Sequence, residues 1–179
     1  MENYKKNLEI LKKNHVYSEE MEHDACGVGL IASTEGKKSR KVVEYGIEAL
    51  KAVWHRGAVD ADGKTGDGAG IHVEIPKDFF IEKIEVTGHS YDNSEICVGM
   101  IFLPRNDYAA QESCKTIVES ELTKNDFSIY GWRQVPVNPK VLGEKAFQTM
   151  PEIIQVLFKS NNPELLNKDL ERKIYETRR

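Results

Sequence analysis

Apolar residues set three different rhythms along this chain. From Ser39 to Trp54 they fall at Val42, Val43, Ile47, Leu50, Val53 and Trp54, a spacing of three or four that predicts an amphipathic helix. Residues 27–33 are short, apolar and glycine-bearing, and predict a buried strand. Ile71 to Ile75 alternates apolar with polar side chains, which predicts a half-buried strand ended by Pro76. Residues 81–94 are polar and read as loop, whereas Ile96–Leu103 is a nearly continuous apolar run closed by Pro104 and predicts a central strand. Tyr108–Leu122 carries Ala110, Cys114, Ile117, Val118 and Leu122 on one helical face. Phe127–Val135 returns to strand character, and Pro136 and Pro139 mark a loop. Beyond it the pattern predicts a short helix near 141–149, a strand near 152–158, a second short helix near 164–170 and a terminal strand at 171–176. Strands and helices mix without a βαβ rhythm, so the expected class is α+β.

The chain has 179 residues, the size of one ordinary domain, and its 40% apolar content suffices for a core. A net charge of −4 and a pI near 5.8 weigh against nucleic acid or an anionic membrane as partner, since both select basic surfaces. No apolar stretch approaches the ~18 residues of a membrane span. The three cysteines, Cys26, Cys97 and Cys114, are odd in number and have no CxxC spacing, against a disulfide scaffold or structural zinc site. His15, His23, His55, His72 and His89 share no metal-ligand spacing, and no metal site is expected. These features read as a domain of a soluble, cytoplasmic protein.

Candidate chemistry begins where a charged amino terminus stops. Residues 1–25 mix both signs of charge and lack the apolar core of a secretory signal. They read as a frayed terminus or as a leader removed before the domain works. At Ala25-Cys26-Gly27-Val28-Gly29 the composition switches to small and apolar residues. A chain cut before Cys26 gives that residue a free α-amine titrating near ~7.7–8.0, an internal base for its own thiol. The alternative for Cys26, as for most cysteines, is a small buried hydrophobe. Cys97 on an apolar strand and Cys114 on an apolar helix face fit that second role. Arg56, in His55-Arg56-Gly57, is open to two readings: a bidentate carboxylate ligand, or a cation offsetting a helix dipole with Gly57 as the helix cap. Gly66-Asp67-Gly68-Ala69-Gly70 lacks the strand before and helix after that a phosphate loop requires, and reads as close backbone packing beside a strand.

Taken in order, Asp24-Ala25-Cys26-Gly27-Val28-Gly29, His55-Arg56-Gly57-Ala58 and Thr65-Gly66-Asp67-Gly68-Ala69-Gly70-Ile71 resemble the start of glutamate synthase large subunits. The resemblance continues through Ile75-Pro76, Val98-Gly99-Met100-Ile101-Phe102-Leu103-Pro104, Gly131-Trp132-Arg133-Gln134-Val135-Pro136 and Glu171-Arg172-Lys173-Ile174-Tyr175. It implies a class II glutamine amidotransferase domain over residues 26–179 with an amino-terminal-nucleophile hydrolase fold. In that fold two antiparallel sheets lie between helix layers, here incomplete at the carboxyl end. It implies that residues 1–25 are a propeptide, that Cys26 is the nucleophile attacking glutamine, and that Arg56 binds substrate or orders the site. The partners implied are glutamine, the remainder of the large subunit and a small subunit. FMN, an iron–sulfur cluster and NAD(P)H or ferredoxin belong by the same resemblance to the parent enzyme, with no cofactor in this segment.

The family's later Asn-Gly oxyanion pair and substrate-clamping arginine and aspartate have no counterpart in these residues, which contain no Asn-Gly dipeptide. The expectation is therefore a front portion of a larger enzyme or a truncated product, with little activity alone, since one lost oxyanion donor costs about 10²–10³-fold. The alternatives are an amino-terminal-cysteine amidotransferase with another ammonia acceptor, and a non-catalytic module that binds a partner.

Overall fold

The computed structural model describes residues 2–14, 27–53, 57, 59–66 and 68–179. The chain divides into two units, residues 1–58 with 66–71, and residues 59–65 with 72–179.

The first unit carries α1 (Glu2–Lys13) and α2 (Arg40–Ala52). Helix α2 starts where the Ser39 hydroxyl accepts the Lys41 N–H at 3.2 Å, satisfying one of the orphan donors of a first turn. It ends with the Val53 N–H bonded back to Ala49, close to the bounds its apolar spacing predicts. The expected strand at 27–33 is not formed: these residues are unpaired, and Val28 and Leu30 are 93% and 89% exposed. An apolar run signals a need for burial, but a strand also needs a neighbour for its N–H and C=O groups. Ile71–Ile75 fails in the same way. Its alternation is present, yet Ile71, Val73 and Ile75 stay exposed and no strand forms.

The second unit is built on one antiparallel sheet of β1 (Cys97–Leu103), β2 (Phe127–Gln134) and β3 (Glu152–Ser160), in the order β1-β3-β2. Cys97 pairs with Phe158 and Leu103 with Glu152 on one side of β3, and Phe127 pairs with Ser160 on the other. Alternate side chains of the central strand therefore enter two cores. Val156 and Phe158 meet Leu122 of α4 (Tyr108–Lys124) and Leu170 of α6 (Asn167–Arg178), together with Cys97 and Phe127. Leu157 faces the other way, against Phe80 and Ile84 of α3 (Lys77–Val86), Ile96 and Tyr130. Burying a side chain such as Leu157 stabilises the fold by about 1.5–3 kcal/mol.

Two helices replace predicted non-helical segments. α3 occupies most of the first half of the stretch read as loop: Phe80 and Ile84 stand one turn apart and are both buried, a pair that a window opening at residue 81 divides. α6 absorbs the predicted terminal strand at 171–176, because Leu170 and Ile174 share one face against the core and Arg172 pairs with Glu176 at 2.9 Å one turn on. A short helix α5 (Glu144–Thr149) lies where one is expected. The α+β class holds, and the described residues form one three-stranded sheet.

Strand β2 carries a bulge between Ile129 and Gly131 that leaves Tyr130 as the extra residue. The Tyr130 ring is buried and its hydroxyl donates to Asp92 at 2.9 Å. Gly131 sits at φ +146°, and a β-carbon there would press 2.8 Å from the Thr87 methyl. The Thr87 hydroxyl lies 2.7 Å from the Tyr130 carbonyl oxygen, tying the end of α3 to the bulge. Asp92 also receives the Lys159 ammonium. That ammonium, then the Ser94 side chain and the Tyr130 hydroxyl, hold the Asp92 carboxyl well below its usual range.

Gly131→Ala is expected to lower unfolding free energy by about 1–3 kcal/mol through backbone strain, and by less in a Thr87→Ala background, where the 2.8 Å methyl contact is removed and only the β-carbon at 3.0 Å remains. Denaturant titrations of both pairs read this, and equal losses would exclude the contact. Because the folded value of Asp92 is depressed, its stabilisation is present above the unfolded value of about 3.9 and is lost as pH falls below it. Asp92→Asn should therefore melt earlier at pH 7 and lose less on acidification than the parent, and parallel acid limbs would count against the Lys159 pairing. Burial, with the Glu95 and Glu171 carboxylates, pushes the Cys97 thiol up to about 12. It should resist alkylation at neutral pH until the sheet unfolds, as peptide mapping of a maleimide time course will show.

Candidate functional site

Cys26 and Arg56 lie outside the described residues, together with Met1, residues 15–25, Trp54, His55, Ala58 and Asp67. The structure does place the segments that border them in sequence. Gly27–Ser33 follows Cys26 as unpaired chain, without the strand expected there. Helix α2 ends at Ala52 with Val53 as its cap, so Gly57 does not have the helix-capping role open to it in the sequence. Cys97 is a buried core thiol, as its strand position predicts, and Cys114 is half-buried on α4. The reading of the glycine run as tight packing is not upheld. A β-carbon at Gly68 or Gly70 meets nothing within 4 Å, and no strand lies beside them among the described residues.

The segment that follows Arg56 and Gly57 is a densely hydrogen-bonded loop of the second unit. Within Val59–Thr65 the Asp60 N–H donates to the Thr65 carbonyl at 2.6 Å, and Gly63 makes the turn at φ +69°. Asp62 is its centre. One carboxylate oxygen accepts the Lys64 and Thr65 N–H groups at 2.9 and 2.7 Å, and the other accepts the Thr65 hydroxyl at 2.5 Å. The loop is then bound to the start of α5. Lys145 donates to both Asp60 oxygens at 2.7 and 2.9 Å, and the Ala146 N–H reaches the Thr65 hydroxyl at 3.4 Å.

Gly143, at the head of α5, closes the contact. A β-carbon there would collide with the Thr65 hydroxyl and N–H and with the Asp62 carboxylate. The Thr65 hydroxyl first, then the Lys64 and Thr65 N–H groups, hold the Asp62 carboxyl far below the usual carboxylate range, and the Glu144 N–H adds to this. A carboxylate so stabilised does not exchange a proton near neutral pH. Asp62 is therefore a fixed structural anion and not an acid or base. The Asp-x-Asp-Gly pattern at 60–63 is a turn signal visible in the sequence, but nothing in the sequence joins it to Gly143 and Lys145.

A concavity of about 430 Å³ opens elsewhere in the second unit, lined in part by Phe102, Pro104, Arg105, Gln148 and Met150. Its one cationic group, Arg105, is already committed to the Phe147 carbonyl at 3.0 Å and to the Phe147 ring. None of the sequence-predicted site residues lines it. Among the described residues no group of three His, Cys, Asp or Glu could hold a metal ion, and no helix is long and apolar enough to cross a membrane.

A family model for class-II glutamine amidotransferases matches residues 26–179. The chain is 52% identical over 176 residues to the NADPH glutamate synthase large chain of Azospirillum brasilense, covering 98% of this chain and 12% of that protein. It is 38% identical over 172 residues to the chloroplastic ferredoxin-dependent glutamate synthase 2 of Arabidopsis thaliana, covering 94% of this chain and 10% of the relative. A ferredoxin-dependent glutamate synthase of Pyropia yezoensis is likewise 38% identical, over 95% of this chain and 11% of its own length. The chain thus spans about a tenth of the length of the curated relatives it matches. The family match opens at Cys26 and runs to Arg179, and on it this chain belongs to the class-II glutamine amidotransferases.

Proposed function

We propose that the chain is the glutaminase portion of a glutamate synthase, with Cys26 as nucleophile and Arg56 as the residue that binds substrate or orders the site. The observation that carries this is the family match beginning at Cys26 itself, joined to 52% identity with a glutamate synthase large chain over 98% of these residues. Residues 1–25 are then a propeptide, and their removal gives Cys26 the free α-amine that serves as its base near neutral pH.

The reaction is acyl transfer. The α-amine takes the thiol proton, and the sulfur attacks the side-chain amide carbon of glutamine, forming a tetrahedral oxyanion. Collapse expels ammonia, which leaves with the proton the amine held, and a γ-glutamyl thioester remains. Water adds to the thioester, glutamate departs and the thiol is restored. In the parent enzyme the ammonia condenses with 2-oxoglutarate, and reduction of the imine yields a second glutamate. The higher identity to the NADPH relative than to the ferredoxin-dependent ones favours a nicotinamide electron donor.

An iron–sulfur cluster does not fit the described residues, and FMN goes by the family resemblance with the rest of the parent enzyme. A cluster needs several accessible thiolates, whereas Cys97 is buried with its thiol pushed up to about 12. Those groups belong to the remainder of the large subunit, the principal partner on this reading, with a small subunit as a further one. A cytoplasmic location goes with it, since few unpaired cysteines suit a reducing compartment.

The fold inferred is the two-sheet sandwich of amino-terminal-nucleophile hydrolases. The β1-β3-β2 sheet with α4 and α6 supplies one sheet and one helix layer. Met100 and Phe102, exposed on the face that Val98 shares with α3, mark the side left for a second sheet.

An electrophilic glutamine analogue, incubated with the full-length gene product, should add once, at Cys26, on a chain whose amino terminus is Cys26. Intact mass and amino-terminal mapping read both. Cys26→Ala should reduce glutamine hydrolysis to background. Retained hydrolysis would refute the nucleophile, and an unprocessed, unlabelled protein would favour the non-catalytic module.

A further inference from the structure

Gln155 is the one polar residue in the enclosed run Ile154–Phe158 of β3, and it is only 8% exposed. Its partners across the sheet are Met100 on β1 and Arg133 on β2, so the three side chains share one face. An Arg133 Nη1–H donates to the Gln155 carbonyl oxygen at 2.6 Å. A guanidinium can only donate, so this bond fixes which end of the amide is oxygen and turns Nε2 the other way. Nε2 has no hydrogen-bond partner among the described residues, where no fully enclosed side-chain nitrogen or oxygen is left unpartnered. It therefore opens to solvent beside the guanidinium.

A second cation stands near. The Arg133 guanidinium and the Lys83 ammonium of α3 both lie over the Phe79 ring, 5.1 and 5.0 Å from its centroid. Both residues are half-buried. Among the described residues neither has a carboxylate within ion-pair distance. Half-buried like charges without a counter-charge are unfavourable, and packing alone is served as well by apolar residues at such positions. Every unfilled group here is a donor: the rest of the Arg133 fork, the Gln155 amide nitrogen and the Lys83 ammonium.

We propose that Arg133, Gln155 and Lys83 form a binding site for a carboxylate. The planar fork and the amide beside it meet two coplanar oxygens, in hydrogen bonds that a charged acceptor makes about twice as strong. Lys83 adds attraction, and Phe79 with the exposed Met100 offers apolar surface to the carbon chain. The site lies wholly within the second unit and does not depend on the glutaminase reading. It gives a role to Arg133, which the Gly131-Trp132-Arg133 motif carries without one. The carboxylate belongs to a free small molecule or to an Asp or Glu side chain of the same gene product, and the two sources behave differently under test.

The test is modification of the full-length gene product by phenylglyoxal, read at Arg133 by peptide mapping, with glutarate as probe and uncharged glutaramide as control. For a free carboxylate, glutarate at ten times its dissociation constant should slow modification about tenfold, and glutaramide should not. Gln155→Leu, which removes the tether of the fork and the second donor, should then weaken glutarate about tenfold. Lys83→Met should weaken it about two- to fivefold. For a side-chain carboxylate, Arg133 should react slowly without any probe, and the same two variants should speed it by those factors.

An Arg133 that reacts readily whether or not glutarate is present would overturn the proposal. Protection that survives both Gln155→Leu and Lys83→Met would overturn it too, since simple burial does not depend on those donors. Thermal melts accompany each variant. If Gln155→Leu fails to fold, Lys83→Met decides alone, and unchanged protection there would refute the site.

Discussion

The second unit depends on one strand being covered on both faces. Ile154–Phe158 of β3 is buried at every position, and Val156 and Leu157 are fully enclosed although they point in opposite directions. Only the middle strand of a three-stranded sheet can be so placed, with a neighbour on each edge and helices above and below. Among the described residues β1 and β2 each have one paired edge. α4 and α6 cover one face and α3 the other, so the three helices are needed because β3 is apolar in both directions. Gly99 follows from the same constraint. It lies directly across from Val156, and a β-carbon there would come within 2.7 Å of that side chain, so close packing of the strands selects glycine.

Burial governs the sheet, while hydrogen bonding governs the loop that leads from the Arg56 segment. The two regimes respond differently to substitution. Core positions tolerate changes that conserve volume. The Asp60–Thr65 loop depends on donors and acceptors in fixed places, and on the one residue, Gly143, that allows a helix head to approach it. Asp62 and Asp92 show the same chemistry at two sites: each is a carboxylate held ionised by donors around it, Thr65 first in one case and Lys159 first in the other. The cysteines divide in a related way. Cys97 is disarmed by burial, whereas the nucleophilicity proposed for Cys26 draws on the α-amine that removal of residues 1–25 would free.

Much of this protein is legible in its sequence. A nearly continuous apolar run locates β1, because a strongly covered strand must be largely apolar, and the three- and four-residue spacing locates α2 and α4. The glycine, arginine and cysteine motifs disclose the family, since those residues answer to chemistry more than to packing. Errors fall where local pattern is ambiguous. Ile71–Ile75 and residues 27–33 have strand-like composition without a strand partner. Residues 171–176 read as strand until Leu170 and Ile174 are seen to share one face against the core.

What the sequence determined by itself is therefore the set of apolar elements, the chemical identity of the candidate nucleophile and its arginine, and the family to which they belong. Tertiary structure alone decided which runs became strands, because pairing is a property of two segments and no single segment encodes it. It alone joined Asp60, Asp62 and Thr65 to Gly143 and Lys145, some eighty residues away. A hydrogen bond acts over about 3 Å of space, and separation along the chain gives no measure of that distance.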